Sequence, residues 1–340
     1  MIFMDCYVAF MKDLEEIKKS SSGGFFYSVA KMWANNGGYV AGVIFNDDFK
    51  SAKHICSNNL QDIEKMRGSK YIQSVKGNIF REIEQLLQKK ESVLFSGTPC
   101  EVAGLKAFLG KEYDRLVCIE VICHGPTSQR VLDMFISDLE LKYKSSVDSF
   151  SFRYKKYGSD PAYIRVLFEN GKVYEKQLYE SSFGEAFKLI NRPSCSKCKF
   201  KVNSTKADIT IGDHWGIFDP KKIMNAEGES IVVIHTSLGK KILNDIVSNG
   251  EMEIHKLDTD EAIEMNPGLY VVHEMDAERE NYIQQIKKDG LSKASKKYLK
   301  PKTFKELVKR KTPVPIKKYI KRLYPLNPPA STQTNHKMLK

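Results

Sequence analysis

The chain has 340 residues, 41% of them hydrophobic, enough for one large domain or two smaller ones without disulfide staples. Its seven cysteines are an odd number, no run of about 18 apolar residues is unbroken, and the first residues lack the basic start and apolar stretch of a secretory leader; a cytoplasmic protein without a membrane span is expected. The formal charge of +12 is almost all tail: residues 296–340 hold 14 Lys and Arg against Glu306 alone, leaving 40 basic against 41 acidic residues in the first 295, which argues against a specific nucleic-acid-binding body.

In chain order, residues 20–35 read as a capped helix, in which a Ser- and Gly-rich turn opens an apolar-periodic stretch (Phe25, Phe26, Val29, Met32, Trp33) that stops at Gly37-Gly38. Residues 39–45 predict a short strand and residues 78–89 a second helix. Residues 92–96 predict a buried strand entering Gly97-Thr98-Pro99-Cys100, followed by a helix over 101–108. A strand over 116–122 enters Cys123-His124-Gly125-Pro126, and 128–144 form an amphipathic helix. Special residues at strand carboxyl ends are where open α/β sheets place their sites. Past Lys144 the period changes to two over 147–154, 163–169 and 172–177, the last pair joined by Asn170-Gly171, a hairpin signal. A loop with Cys195-Ser196-Lys197-Cys198 follows, then strands over 207–211 and 230–235 and a helix over 238–247. From about Ala277 the chain is charged and helical, then broken at Pro301, Pro313, Pro315, Pro325 and Pro328-Pro329 toward an end with disordered composition. The expected class is α+β: mixed sheets flanked by helices, an α/β-like N-terminal half, a β-hairpin in the middle and a helical, basic C-terminal tail.

Four cysteines carry the strongest chemical signal. Cys100 and Cys123 sit at expected strand ends, and Cys195 and Cys198 share a C-x-x-C loop. Four thiolates on irregular loops suit an iron–sulfur cluster. Zinc competes, although structural zinc sites more often pair two C-x-x-C knuckles or add histidines. In a third reading Cys100 and Cys123 are small buried hydrophobes and only the C-x-x-C binds anything. Spacing alone leaves the three open. Cys118, inside the apolar run LVCIEVI, and Cys56 read as structural, and Cys6 is undecided.

The turn from Ser20 to Gly24 opens a helix, and its free N–H groups and the helix dipole make it an anion site or, equally, an ordinary serine cap. Gly68-Ser69-Lys70-Tyr71 is a second Gly/Ser loop with a cation and a ring. The stretch 207–216 delivers Asp213, His214 and Trp215 at a strand end, either beside a cofactor or as a local cap and core filler. No G-x-S-x-G, H-E-x-x-H or Walker pattern is present, which weighs against acyl transfer, zinc proteolysis and P-loop hydrolysis.

Taken in order, SSSGGFF, GSKYIQS, FSGTPCEVAGLKAFL, CHGPTS, RPSCSKCKFK and ADITIGDHWG resemble the coenzyme F-420 hydrogenase/dehydrogenase beta-subunit family over about residues 7–270. The resemblance implies an oxidoreductase with FAD and a [4Fe-4S] cluster, passing electrons between a ferredoxin-like carrier and an unknown two-electron acceptor. Some relatives are linked to surface polysaccharide synthesis. Cys100, Cys123, Cys195 and Cys198 match the cluster ligands, and Ser21, Ser22, Gly23, Gly24, Ser69 and Lys70 match the flavin region, with Thr98 and Asp213 also on the cofactor side. His124 then reads as a donor near the cluster and Lys70 as a counter-charge near the flavin. Many relatives begin with a ferredoxin module that would precede this chain, so the resemblance implies either electron input from a separate ferredoxin-like carrier or loss of that input.

The implied division is a flavin-side domain over 1–85, a cluster-bearing domain over 86–275 and a tail over 276–340. The rivals are a structural-zinc protein and a flavin-less scaffold or electron-transfer subunit of a glycan-synthesis system. In the tail, Ile316, Tyr319, Ile320 and Leu323 share one helical face, with Lys317, Lys318, Lys321 and Arg322 largely elsewhere. That pattern suits peripheral contact with the inner membrane surface, a solvated tail or a helix docked on the body.

Overall fold

The computed structural model describes residues 5–201, 204–215 and 224–299, and the chain up to Leu299 is one compact unit. Gly216 and everything from residue 300, including the expected amphipathic tail helix and its membrane contact, lie outside the described residues. No helix among the described residues is long and apolar enough to cross a membrane.

Strand β1 (Asp5–Met11) leads through helix α1 (Leu14–Lys19) into the serine turn and helix α2 (Phe25–Asn35). The entry to α2 differs from the expected serine cap. No side chain caps it; Gly24 takes φ +90° at the cap position, and Gly23 lies against the sheet backbone. A Cβ at Gly23 would stand 2.2 Å from the Ala9 carbonyl oxygen and 2.9 Å from Ser230 N, so the turn crosses the sheet only with glycine there. Strands β2 (Tyr39–Phe45) and β3 (Ala52–Ser57) pair antiparallel, followed by helices α3 (Leu60–Met66) and α4 (Ile79–Gln88).

Strand β4 (Val93–Gly97) runs into helix α5 (Pro99–Leu109), and strand β5 (Leu116–Val121) is followed by helix α6 (Gln129–Tyr143). Helix α5 begins earlier than expected because proline occupies its first turn and Thr98 and Glu101 form a capping box. Strands β6 (Val147–Tyr154), β7 (Tyr163–Phe168) and β8 (Val173–Gln177) make a separate antiparallel sheet in that order. The expected hairpin at Asn170-Gly171 is present, with Gly171 at φ +77°. Next come helix α7 (Ser182–Leu189), strands β9 (Ile209–Asp213) and β10 (Ser230–Ile234), helix α8 (Ser237–Ser248), strand β11 (Met252–Leu257) and helix α9 (Thr259–Met265), then helices α10 (Arg279–Asp289) and α11 (Leu291–Tyr298).

The large sheet has eight strands in the order β11-β1-β10-β9-β5-β4-β2-β3. Strands β2, β4, β5 and β9 are mutually parallel, and the remaining pairings are antiparallel, so the fold is mixed α and β as expected. Alternation along β5 sorts its side chains between faces: Val117 and Ile119 join the core under α2 and α8, whereas Leu116 and Cys118 join the core under α4 and α5. A further core joins the small sheet to α6, α7, α10 and α11. Cys118 is fully buried, as its place in an apolar strand predicts, and burial pushes the Cys56 thiol up to about 12. Strands β1, β3 and β11 were not expected. The sequence of β11, MEIHKL, is half polar because this strand lies at the sheet edge with exposed Glu253 and Lys256.

His54 on β3 stacks on Phe95 of β4 at 5.5 Å between ring centroids, and its Nε2 meets the Ser96 carbonyl oxygen at 3.3 Å. Burial, reinforced by Lys76, pushes its pKa down to about 4, while Glu101 and the Ser96 carbonyl act in the opposite sense.

Two outcomes are expected. Gly23→Ala should destabilise the protein by at least about 2 kcal/mol, since the backbone groups it meets have no room to yield; urea unfolding measures this. For His54 the folded state favours the neutral ring while the unfolded chain takes up a proton near pH 6.5. Its stabilising contribution is therefore full above about pH 6.5 and is lost toward pH 4, by up to about 3 kcal/mol. Urea unfolding at pH 6.5 and pH 4.5 should show a shallower loss in His54→Phe than in the parent.

Candidate cofactor site at the carboxyl edge of the sheet

The carboxyl ends of β4, β5 and β9 point to one edge of the large sheet, and the N-terminus of α5 opens on it directly after β4. Strand β1 runs the same way through its pairing with β10, so the turn before α2 reaches this edge too: Met11 N donates to the Gly23 carbonyl at 2.8 Å. Helix N-termini present unpaired N–H groups and a positive dipole end.

The cysteines come from three loops. Cys100 lies in the first turn of α5, and the Thr98 hydroxyl is 3.3 Å from its Sγ. Cys123 follows β5, and its Sγ accepts from Gly125 N at 3.3 Å. Cys195 lies in a short 3-10 turn over Pro193–Lys197, with Cys198 just past it accepting from Phe200 N at 3.4 Å. Gly125, at φ +100°, brings the loops together: a Cβ there would stand 3.2 Å from the Cys195 Cβ. Electrostatic interactions link Cys123 to Cys100 and Cys195, and Cys195 to Cys100 and Cys198. All four thiols are free.

Burial pushes the Cys123 thiol up to about 12, with the Gly125 N–H acting against it; burial also raises Cys195, against the pull of Arg192. Lys201 interacts with Cys123, Cys198 and Cys195, and donates to the carbonyls of Cys123 and Gly268 at 2.9 Å each. Among the described residues, no three His, Cys, Asp or Glu side chains form a group that could hold a single metal ion.

The expected flavin-side residues meet at the same edge. Ser21 Oγ accepts from Ser69 N at 2.6 Å and from Ser69 Oγ at 2.8 Å, so the two Gly/Ser loops touch. Ser22 Oγ lies 2.7 Å from Ser230 Oγ, which accepts from Gly23 N at 3.0 Å. Lys70 turns elsewhere: its ammonium donates to the carbonyls of Lys65, Met66 and Arg67 at 2.9, 3.1 and 2.7 Å, closing the C-terminal end of α3, where carbonyls lack helical partners.

Asp213, at the end of β9, pairs with Arg153 of β6 at 3.0 Å. Arg153 also donates to the Ser21 carbonyl at 3.1 Å and bonds Tyr71. Burial disfavours its charge, but Asp213 and Tyr71 hold its pKa above the usual value. Buried Lys155, two residues on, donates to the carbonyls of Ile17 and Ser22 at 2.7 Å each. Sequence reasoning missed both cations. Arg153 lies on β6 and Lys155 just past its end, so their i, i+2 spacing was a local signal for one face, but nothing local says that this face meets the serine turn.

A contact path joins the two halves of the site. The Trp215 indole N–H donates to Asp213 at 3.4 Å, and the Trp215 ring stacks on His124, next to Cys123, with centroids 5.4 Å apart. His124 is not turned toward the thiols through its Nδ1, which lies 2.9 Å from Nε2 of His273. Burial, with His273 and Lys201, pushes His124 down to about 4, so its ring is neutral at neutral pH. His214, between Asp213 and Trp215 in sequence, pairs instead with Glu229 at 2.6 Å, both side chains 1% exposed.

No curated protein matches the chain. Among solved structures it is similar to a chain of the F420-reducing [NiFe] hydrogenase complex from Methanosarcina barkeri, studied by xenon derivatization, at 20% identity and a TM-score of 0.54, over 86% of this chain and 90% of that one. This likeness concerns the fold. The family defined by the C-terminal part of the coenzyme F420 hydrogenase/dehydrogenase beta subunit matches residues 90–260, just over half of the chain and the part that carries all four loop cysteines and Asp213. The chain belongs to the coenzyme F420 hydrogenase/dehydrogenase beta-subunit family.

Proposed function

We propose that the protein is a flavin- and iron–sulfur-dependent oxidoreductase that passes electrons between a one-electron, ferredoxin-like partner and a two-electron acceptor. The family is an oxidoreductase-subunit type, so redox character belongs to the chain on that ground alone. The finer reading rests on one observation. A four-cysteine neighbourhood and an anion-suited serine turn share one sheet edge and are joined through His124, Trp215, Asp213 and Arg153.

The donor set fits a cluster. Cys100, Cys123 and Cys198 each already have a hydroxyl or N–H group at the sulfur, the kind of contact that stabilises a reduced iron–sulfur centre, and Lys201 adds a cation. The ligands of a cluster bind different irons, so they need not converge on one point as a zinc shell must. The serine turn fits a phosphate-bearing cofactor through its N–H groups, Ser21 and Ser69 hydroxyls, and nearby Arg153. When bound, these groups would exchange single electrons at the cysteines and a hydride at the flavin.

The chain's own residues would do the rest. Cys100, Cys123, Cys195 and Cys198 would give up their protons on binding metal, which makes loading favourable at higher pH. Arg153 and Asp213 would fix the serine turn relative to β9, and Trp215 with His124 would exclude water between the two halves. The salt-bridged Asp213 is a holder of Arg153 here, since its carboxylate already takes two donors.

The test is metal and flavin analysis of anaerobically purified full-length protein. About four irons per chain with matching sulfide and released FAD are expected. Zinc without visible colour would move the protein to the structural-zinc class, and iron without flavin to the electron-transfer subunits. Cys198→Ser should lower iron content and leave the secondary structure by circular dichroism unchanged. Arg153→Met should weaken FAD retention about tenfold or more, as loss of a partly buried charge pair implies, with iron content preserved; retained FAD at parental affinity would remove Arg153 from the flavin side.

A further inference from the structure

Glu101, Lys76, Ser74 and His54 form a polar network beside the GTPC turn, and the proposed chemistry leaves it without a role. Glu101 is the third residue of α5, and its Oε2 accepts from Thr98 N at 2.8 Å. Its Oε1 is ion-paired with Lys76. The Lys76 ammonium also donates to Ser74 Oγ at 2.7 Å, and that hydroxyl lies 3.4 Å from Glu101 Oε1 and 3.0 Å from His54 Nδ1. The two charged side chains are 15% and 27% exposed, so the pair is only partly screened by water. The same Thr98 whose amide Glu101 holds touches Cys100 Sγ through its hydroxyl.

Capping does not require the charge at Glu101. A capping box works with glutamine as well as with glutamate, because only an acceptor for the backbone N–H is needed. A carboxylate here instead places a negative charge one residue from Cys100, and Lys76 is placed to cancel it from the strap over residues 68–76. That strap also carries Ser69, the residue that touches Ser21. Lys201 supplies a separate cation to the Cys123 side. Electrostatic balance around the thiols is thus uneven: Lys201 and Arg192 act on the Cys123 and Cys195 side, and a compensated pair lies beside Cys100.

Resting on the reading that the four cysteines hold an iron–sulfur centre, we propose that Lys76 and Glu101 act as a charge-balanced positioning pair, in which Lys76 keeps the Glu101 carboxylate from lowering the reduction potential of that centre. Reduction adds one negative charge at the cysteines. An unpaired Glu101 carboxylate opposes it, and Lys76 removes that opposition while holding Glu101 against the Thr98 amide.

The experiment is a dithionite titration with mediator dyes, followed by electron paramagnetic resonance, on anaerobic full-length protein and three variants, with iron content and melting temperature measured alongside. Lys76→Met should shift the midpoint to more negative values. Glu101→Gln, which keeps the capping acceptor, should shift it to more positive values, and the double variant should return close to the parent. Opposite signs that cancel are not produced by a merely structural role, which would lower iron content or melting temperature without this pattern. Should Lys76→Met fail to retain iron, Lys76→Arg keeps the charge and should keep the parental potential, while Glu101→Gln still carries the sign test. Unmoved potentials in iron-replete variants overturn this inference alone. A parent protein that binds no iron overturns the reading of the cysteines and this inference with it.

Discussion

The ion pair between Arg153 and Asp213 is the contact on which the site depends. Arg153 belongs to the small antiparallel sheet and Asp213 to the end of a strand in the large one, and the same guanidinium holds the Ser21 carbonyl and Tyr71. Three separate segments of the chain therefore meet on one cation. A partly buried guanidinium of this kind must find acceptors on all sides, and once it does, removing any one of them strands the others. Lys155 repeats the arrangement nearby, joining the Ile17 and Ser22 carbonyls. The small sheet is thus a clamp on the serine turn as well as a packing layer for α6, α7, α10 and α11.

The geometry of the large sheet explains why the candidate site residues collect at one edge. Parallel strands send their carboxyl ends in one direction, and the helices that follow begin there, with unpaired N–H groups facing outward. Gly23 lets the turn before α2 lie directly on the backbone of β1 and β10, and Gly125 lets the loop after β5 close on Cys195. Gly23 acts by absence of a side chain, bringing its loop closer than any Cβ would allow, while Gly125 supplies a left-handed φ of +100° where a Cβ would be tight against Cys195. The strap over residues 68–76 then spans the edge, touching Ser21 at one end and Glu101 at the other.

Family membership and geometry contribute differently. The family places the chain among oxidoreductase subunits, and the similarity to the Methanosarcina barkeri hydrogenase-complex chain, at 20% identity, speaks for the fold. The chemistry proposed for this chain comes from its own residues: thiols with N–H or hydroxyl partners, a cation beside them, and an aromatic stack leading from Cys123 toward Asp213.

Much of this was legible in the sequence wherever a local rule applied. Apolar runs ended by glycine or proline located β4, α5, β5 and the Asn170-Gly171 hairpin, because buried strands and tight turns constrain composition locally. The four loop cysteines stood out by residue type and spacing. Strand β11 did not, since an edge strand with one wet face resembles a loop in composition. Nor did the sequence disclose that Lys70 would bond the carbonyls at the end of α3, or that His124 would stack on Trp215 and bond His273. Residue types and their spacing thus determined the elements and the chemically competent groups. Which of those groups meet, and that Arg153 and Lys155 arrive from a distant sheet to hold the serine turn, was decided only by the tertiary structure, because contacts between segments more than a hundred residues apart leave no periodic trace in either segment.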